Sequence, residues 1–205
     1  MRSSYKLNSG FGMIEILISL LILLIGLLGL AGLQALAQRS EMESYQRVQA
    51  IVLLQDMADR IKANRQASYC YGFTASSAQD TQFLGSSTAS VTPDPTSLTC
   101  GTGSATYEAT ALSDLADWHQ ALLGASEKKG TTKLGAMIDA RGCVVFTPDT
   151  TTTDNSDGTY TITVTWQGIN PTFAPASGTD CAKNTYGAEN LRRAVSMVVM
   201  VPNLN

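Results

Sequence analysis

Charge is almost absent from residues 7–38 of this 205-residue chain. Between Lys6 and Arg39 the only charged residue is Glu15, and the rest of that run is rich in Leu and Ile. The run is longer than the roughly 20 apolar residues that cross a bilayer core, so it predicts a single transmembrane helix. The basic leader before it is too short for a secretory signal peptide.

Proline is absent from residues 11–65, which predicts one continuous helix of about 80 Å. Gly26, Gly29 and Gly32 interrupt its apolar half and fit either a weak stretch that bends or melts, or close packing of neighbouring helices. Apolar residues in its second half recur at steps of three and four, which predicts a face that a domain packs on. These residues are Met42, Tyr45, Val48 and Val52, then Ile51, Leu54, Met57, Ala58 and Ile61.

Residues that catalyse reactions or bind metals are scarce. His119 is the single histidine, and neither a G-x-S-x-G elbow nor a C-x-x-C pair occurs. Asp149, Asp154 and Asp157 offer oxygens to calcium, but their spacing fits no standard calcium loop. We therefore expect no enzyme activity, no bound metal and no cofactor, and we interpret His119 as an ordinary, partly exposed helical residue.

Basic residues are missing between Arg65 and Lys128, although the formal net charge of the whole chain is only -3. Phosphate contacts need Lys or Arg, so this part of the chain does not indicate a nucleic-acid partner. The acids in the interval are Asp80, Asp94, Glu108, Asp114, Asp117 and Glu127, which we interpret as an ordinary solvated surface.

The side of the membrane follows from Arg2 and Lys6, which precede the apolar run. The positive-inside rule places the N-terminus in the cytoplasm and the chain after Arg39 in the periplasm or outside, where disulfides form. The four cysteines of that part allow three pairings, and the sequence alone does not choose among them. Pairing neighbours in sequence, which we prefer, gives Cys70–Cys100 and Cys143–Cys181.

The periodicity changes beyond the long helix. Residues 67–110 are rich in Ser, Thr, Ala and Gly and predict a long, mostly irregular connector. A short helix is predicted from Leu112 to Leu123, with Ser113 as its cap. Its apolar face consists of Leu112, Leu115, Trp118 and Leu122.

The last third of the chain predicts an antiparallel sheet, because strand-like segments follow one another through short turns. The last of these segments is nearly all apolar from Ala194 on, so we expect it to be central or covered on both faces. A hairpin-type turn is predicted at residues 155–158. The segments are Lys133–Asp139, Gly142–Thr147, Thr159–Gln167 and Arg192–Val201, and Tyr160, Ile162, Val164 and Trp166 alternate onto one face.

The stretch Gly10-Phe11-Gly12-Met13-Ile14-Glu15 resembles the signal of the type IV prepilins. The resemblance is specific, because a short basic leader, the G-F-x-x-x-E pattern and an apolar run coincide. It implies cleavage between Gly10 and Phe11 and N-methylation of Phe11. It also implies that Glu15 pairs in a filament core with the Phe11 amine of a neighbouring subunit, since an unpaired buried charge is costly. The alternative for Glu15 is an interfacial residue that extends toward the headgroups.

The resemblance implies an α+β fold, the pilin-like ladle. Its long N-terminal α-helix, with a membrane-spanning first half, packs on a C-terminal antiparallel β-sheet. The expected parts are a leader (1–10), a transmembrane or filament-core helix (11–38), the amphipathic half of the same helix (39–66) and a periplasmic head with disulfides (67–205). Segments such as Arg141–Val145 and Arg192–Ser196 resemble those of a minor pilin.

The resemblance further implies a non-enzymatic subunit that primes assembly of a type IV pilus or sits at its tip. The implied partners are other minor and major pilins, the prepilin peptidase/N-methyltransferase, the inner membrane and the pilus assembly platform. A type II secretion pseudopilin shares the same signal and helix and is the alternative. A membrane-anchored periplasmic enzyme or receptor would need a catalytic pocket, for which the sequence offers no motif. Adhesion, twitching motility and DNA uptake all remain open.

Overall fold

The computed structural model describes residues 12–85, 100, 104–124, 128–130, 132–133, 137–150 and 158–201. Within these residues the long helix comes first and the strands come last, which is the order predicted for an α+β fold. The helices are α1 (Met13–Ala63) and α2 (Ala105–Leu122), with 3-10 helices at Arg65–Tyr71 and Glu189–Leu191. The strands are β1 (Lys128–Lys129), β2 (Thr132–Lys133), β3 (Arg141–Pro148), β4 (Gly158–Gln167) and β5 (Arg192–Val201).

Helix α1 confirms the prediction of one unbroken helix without proline. Its residues belong to two units, which divide between Met42 and Glu43. In the first unit every described residue is exposed, from Gly12 to Met42. In the second unit the helix has a buried face and shares a core with the rest of the unit.

The buried face of α1 in the second unit differs in part from the predicted one. Leu54, Met57, Ala58 and Ile61 are buried as expected, and the face continues through Ala50 and Gln46. The other predicted apolar positions are exposed, so their assignment to the core is wrong. They are Met42, Tyr45, Val48, Ile51 and Val52. The error has a physical cause: the buried face carries a small residue and a polar one, so hydrophobicity alone pointed to the neighbouring face.

Helix α2 begins two turns before its predicted start. Ser104, not Ser113, precedes its first residue, and Ala111, not Leu112, lies fully in the core. The residues of its first two turns are mostly small or polar, so no apolar periodicity predicted a helix there. Long-range contacts accompany them, because Asn64 Nδ2 donates to the Tyr107 carbonyl (2.8 Å) and the Tyr69 hydroxyl donates to Glu108 (3.1 Å).

Strands β3, β4 and β5 form an antiparallel sheet in that order. Their bounds confirm three of the four predicted strands to within one residue at each end. The register pairs Cys143 with Thr163 and Thr163 with Ser196. Strand β5 is at an edge of this sheet among the described strands, so its predicted central position is wrong. Its outward apolar side chains, Val198 and Met200, are exposed, and apolar composition alone did not establish burial.

The predicted strand Lys133–Asp139 is also wrong where the structure describes it. Only Lys133 lies in a strand, in the small hairpin that pairs β1 with β2. Residues 137–139 form a bend and turn, and Asp139 has a φ of 51° that an extended strand cannot contain. The predicted turn at 155–158 lies outside the described residues except for Gly158, which starts β4.

The core of the second unit is built from α1, α2 and one face of the sheet. Trp118 is its largest fully buried side chain, and its indole Nε1 donates to the Leu53 carbonyl of α1 (3.0 Å). Its ring lies directly over Gly142 of β3, where a Cβ would overlap it. From the sheet, β4 presents Tyr160, Ile162, Val164 and Trp166 to this core, as its alternation predicted.

Candidate assembly surfaces

Glu15 lies in the first turn of α1, where the positive end of the helix dipole favours an acid. The Glu15 amide donates to the Gly12 carbonyl (3.0 Å), and the Ser19 hydroxyl donates to the Glu15 carbonyl (2.7 Å). These contacts involve only its backbone. Within the described residues, its carboxylate has no cation at ion-pair distance. Gly10 and Phe11, the predicted processing residues, lie outside the described residues.

The helix around Glu15 exposes apolar side chains on every side. The large residues from Met13 to Leu36 are all at least half exposed. A Cβ added at Gly26, Gly29 or Gly32 would meet no atom within 4 Å beyond the adjacent residues and the local helix backbone. By length and composition, α1 is the one candidate membrane span found among the described residues. Nothing inside its own unit covers this surface, and an exposed apolar surface of this extent is typical of a segment that contacts lipid or another protein.

A second apolar surface lies on α1 in the second unit. It is the exposed stripe, which we define as Tyr45, Val48, Ile51 and Val52. These residues recur at three- and four-residue steps and therefore share one side of the helix. The opposite side faces the core through Ala50, Leu54 and Ile61. The stripe is available to a partner without any change in the fold of the unit.

A polar cluster joins α1 to α2 beside the core. The Arg60 guanidinium contacts both oxygens of Asp56 (3.1 and 3.0 Å) and donates to Asp114 (2.7 Å). Burial lowers the pKa of Arg60, but the hydrogen bonds to Asp56 and Asp114 outweigh it and raise the pKa. The Tyr71 hydroxyl donates to the other oxygen of Asp114. Burial, reinforced by Asp114, raises the pKa of Tyr71. The cluster is satisfied internally, so we interpret it as structural.

Two disulfides fix the irregular parts of the second unit. Cys70 of the 3-10 helix is bonded to Cys100, and Cys143 of β3 is bonded to Cys181. Both bridges join cysteines that are neighbours in sequence, the pairing we preferred. The second bridge holds the long loop after β4 against the outer face of the sheet, where Cys143, Cys181, Ala182 and Tyr186 form a small separate core.

The same loop is held by Arg192, which sequence analysis did not single out. Its guanidinium is buried, donates to the carbonyls of Thr179 (2.8 Å) and Cys181 (3.1 Å), and pairs with Glu189 (2.6 Å). Burial raises the pKa of Glu189, but the hydrogen bonds from Arg192 and from the Asn184 amide outweigh it and lower the pKa. In the sequence, Arg192 is only an arginine at the start of an apolar strand, and nothing in that pattern predicts its contacts with the loop.

Arg141 is a further residue that the sequence did not reveal. Its guanidinium lies between the rings of Phe83 and Tyr186, 4.8 Å from each centroid, and pairs with Asp139 (2.6 Å). The Tyr186 hydroxyl in turn donates to the Asp139 carbonyl (3.0 Å). Burial raises the pKa of Tyr186. This stack anchors the loop to the start of β3.

Groups suited to catalysis do not converge in the described residues. His119 is half-buried on α2, and its Nδ1 accepts a hydrogen bond from the Gly85 amide (3.1 Å), which ties down the connector. No cluster of three or more potential metal ligands is found among the described side chains. Of the three acids considered for calcium, Asp149 is exposed, and Asp154 and Asp157 lie outside the described residues.

An exposed apolar helix followed by a small head with disulfides suits a subunit of a larger assembly. Comparison with protein-family models matches residues 32–115, less than half of the chain, to a family named Tt1218-like and described as type IV pilin Tt1218. Over these residues the chain is similar to the type IV pilins. The match covers the segment from the end of the apolar run to the middle of α2. No curated protein and no solved structure matches this chain significantly.

Proposed function

We propose that this chain is a minor subunit that takes part in priming, assembly or tip composition of a type IV pilus. The observation that carries the proposal is the surface of α1 from Met13 to Leu36, which exposes apolar side chains on every side and has Glu15 near its start. Such a surface suits first a bilayer and then a bundle of like helices. The likeness of several segments to the minor pilin called PilV supports a minor rather than a major role.

We propose that maturation removes residues 1–10 by cleavage after Gly10, and that Phe11 is then N-methylated. Residues 11–38 span the inner membrane before assembly, with the N-terminus in the cytoplasm and the head in the periplasm. Arg2 and Lys6 support this orientation. The mature N-terminus is then an amine next to an apolar helix, a cation that a neighbouring Glu15 can neutralise.

Mass spectrometry on filaments sheared from the native host tests the whole proposal. We expect a peptide that begins at methylated Phe11 in the filament fraction. A mature chain confined to the membrane fraction would favour a type II secretion pseudopilin or a primer that stays in the membrane. A pool that retains Met1 would contradict processing altogether.

The role of Glu15 has a sharper test in the variant Glu15→Ala. We expect membrane insertion to remain intact and the amount of this subunit in sheared filaments to fall, because the buried amine of the neighbour loses its partner. Glu41→Ala is the matched control, since Glu41 is an exposed acid on the same helix. Equal incorporation of the two variants would refute the docking role of Glu15.

A further inference from the structure

The loop after β4 presents an apolar tip. Phe173 is 95 % exposed, the largest exposed fraction of any large hydrophobic residue in the described chain. Pro171 and Pro175 flank it and restrict the backbone on both sides. No charged residue occurs from Gln167 to Thr179. The tip is therefore an uncharged segment that holds an aromatic ring in solvent on a stiff backbone.

The base of this loop is tied to α1. The Asn170 amide donates to Glu43 Oε1 (3.4 Å), and Arg193 Nη2 donates to the Asn170 carbonyl (2.6 Å). The same Arg193 nitrogen lies 3.5 Å from Glu43 Oε1. All these contacts lie within the second unit. They hold the loop base beside the first residue of α1 that belongs to that unit.

Chain lengths place this base close to the end of the apolar run. Glu43 follows Arg39 by four helical residues, which is about 6 Å of helix. Phe173 follows Asn170 by three residues, so the two lie at most about 11 Å apart. The headgroup layer extends about 5–7 Å beyond the hydrocarbon core. These limits come from covalent connections and contacts inside the head, so they hold for any arrangement of the two units.

We propose that the tip formed by Pro171, Phe173 and Pro175 docks onto the headgroup layer of the bilayer that holds the apolar helix. An aromatic ring on an uncharged segment favours the boundary between headgroups and acyl chains. Arg39, which is exposed and precedes Glu43 by about one helical turn, attracts anionic headgroups near the level of the loop base. The contact limits the head's freedom before assembly, and it rests on the membrane anchoring contained in the proposed function.

The test is Phe173→Trp in the full chain, reconstituted in nanodiscs of phosphatidylcholine and phosphatidylglycerol. Lipids brominated near the headgroup end of the acyl chain quench an indole that touches them. The native Trp118 and Trp166 are buried and give a constant background. We expect brominated lipid to remove most of the added emission, and we expect that emission to be shifted to shorter wavelength.

Met200→Trp is the matched control. Met200 is 73 % exposed and follows Arg193 by seven residues of the same strand, a distance of about 23 Å. We expect its quenching to be several-fold weaker than that at position 173. Full emission at position 173 in brominated nanodiscs, or equal quenching at both positions, would overturn the proposal.

A second variant separates lipid from protein as the occupant. Phe173→Ser should not change the amount of this chain in sheared filaments if the ring contacts lipid only before assembly. A large loss from filaments without quenching of Phe173→Trp would assign the ring to another subunit and overturn the lipid contact. If brominated lipid quenches the Phe173→Trp emission in nanodiscs but the chain never enters filaments, the lipid contact stands and the pilus function is refuted.

Discussion

One continuous helix behaves in two ways along its length. Up to Met42 its side chains are exposed and, as far as Ala37, mostly apolar, whereas from Glu43 on the same helix has a buried face made of small, polar and apolar residues. The first stretch is the more hydrophobic, yet none of its described residues is buried. Hydrophobic side chains of α1 are therefore found in two different settings, exposed in the first unit and buried in the core of the second.

The difference between the two stretches of α1 predicts that stability and assembly depend on different residues. Substitutions in the second unit should act on the unfolding of the head, and substitutions in the first should act on membrane insertion or on the filament. Unfolding is measured on the full chain in detergent micelles, by denaturant titration of the emission of Trp118 and Trp166, which both lie in the head core.

The largest expected effect comes from Arg192→Ala. Because Arg192 is buried at 2 % exposure and paired with Glu189, its removal leaves a partly buried carboxylate and two carbonyls without their donor. We expect a loss of about 3–5 kcal/mol in the free energy of unfolding. Lys183→Ala removes an exposed pair with Asp180 in the same loop and should change it by less than about 0.5 kcal/mol. Equal losses would mean that the loop is not clamped through Arg192.

A matched pair of leucines tests the comparison directly. Leu54 is 2 % exposed and Leu24 is 58 % exposed on the same helix. Leu54→Ala should reduce the free energy of unfolding of the head by about 2–5 kcal/mol. Leu24→Ala should leave it within about 0.5 kcal/mol. A large loss in the second variant would show that the first unit also stabilises the head.

Acid should weaken the head partly through Glu189. Its pKa in the folded chain lies below its ordinary value, so its contribution to stability is complete above the unfolded pKa of about 4.3 and is lost as pH falls through the folded value. Glu189→Gln should therefore make the denaturation midpoint less dependent on pH below about 4.5 than it is in the wild type. The exposed control Glu41→Gln should keep the wild-type dependence.

The smallest effect is expected on the exposed stripe. Val48→Ser removes an apolar side chain from the side of α1 that faces away from the head core, so the free energy of unfolding should change by about 0.5 kcal/mol or less. A loss above about 2 kcal/mol would show that the head itself covers the stripe. An unchanged stability with reduced recovery in filaments would identify the stripe as a contact between subunits.

The sequence predicted the helices and strands better than it predicted the contacts between them. Strands β3 and β4 were found because their alternation is local, and α1 because proline is absent. The exposure of Tyr45 and the burial of Gln46 were not predictable, since both depend on which side α2 and the sheet occupy. The first turns of α2 were missed for the same reason, because Asn64 and Tyr69 contact them across the fold.

The functional residues divide in the same way. Glu15 was conspicuous because a carboxylate beside an apolar run is a local anomaly. The clamp at Arg192 and the stack at Arg141 depend on a loop that packs back on the sheet over two dozen residues. No local sequence pattern predicts where such a loop packs. Phe173 did not stand out in the sequence, where it is one aromatic residue in an irregular segment. Its exposure and the contact of Asn170 with Glu43 are seen only in the structure.

The edge position of β5 has a practical consequence for anyone who prepares the head without its anchor. From Ala194 to Val201 this strand contains no charge and no proline, the features with which proteins usually discourage edge-to-edge pairing. Copies tethered in a membrane meet such an edge only in restricted orientations, but copies free in solution at high concentration do not. A soluble form should aggregate less with a lysine in place of Met200, because this exposed side chain is not packed in the core.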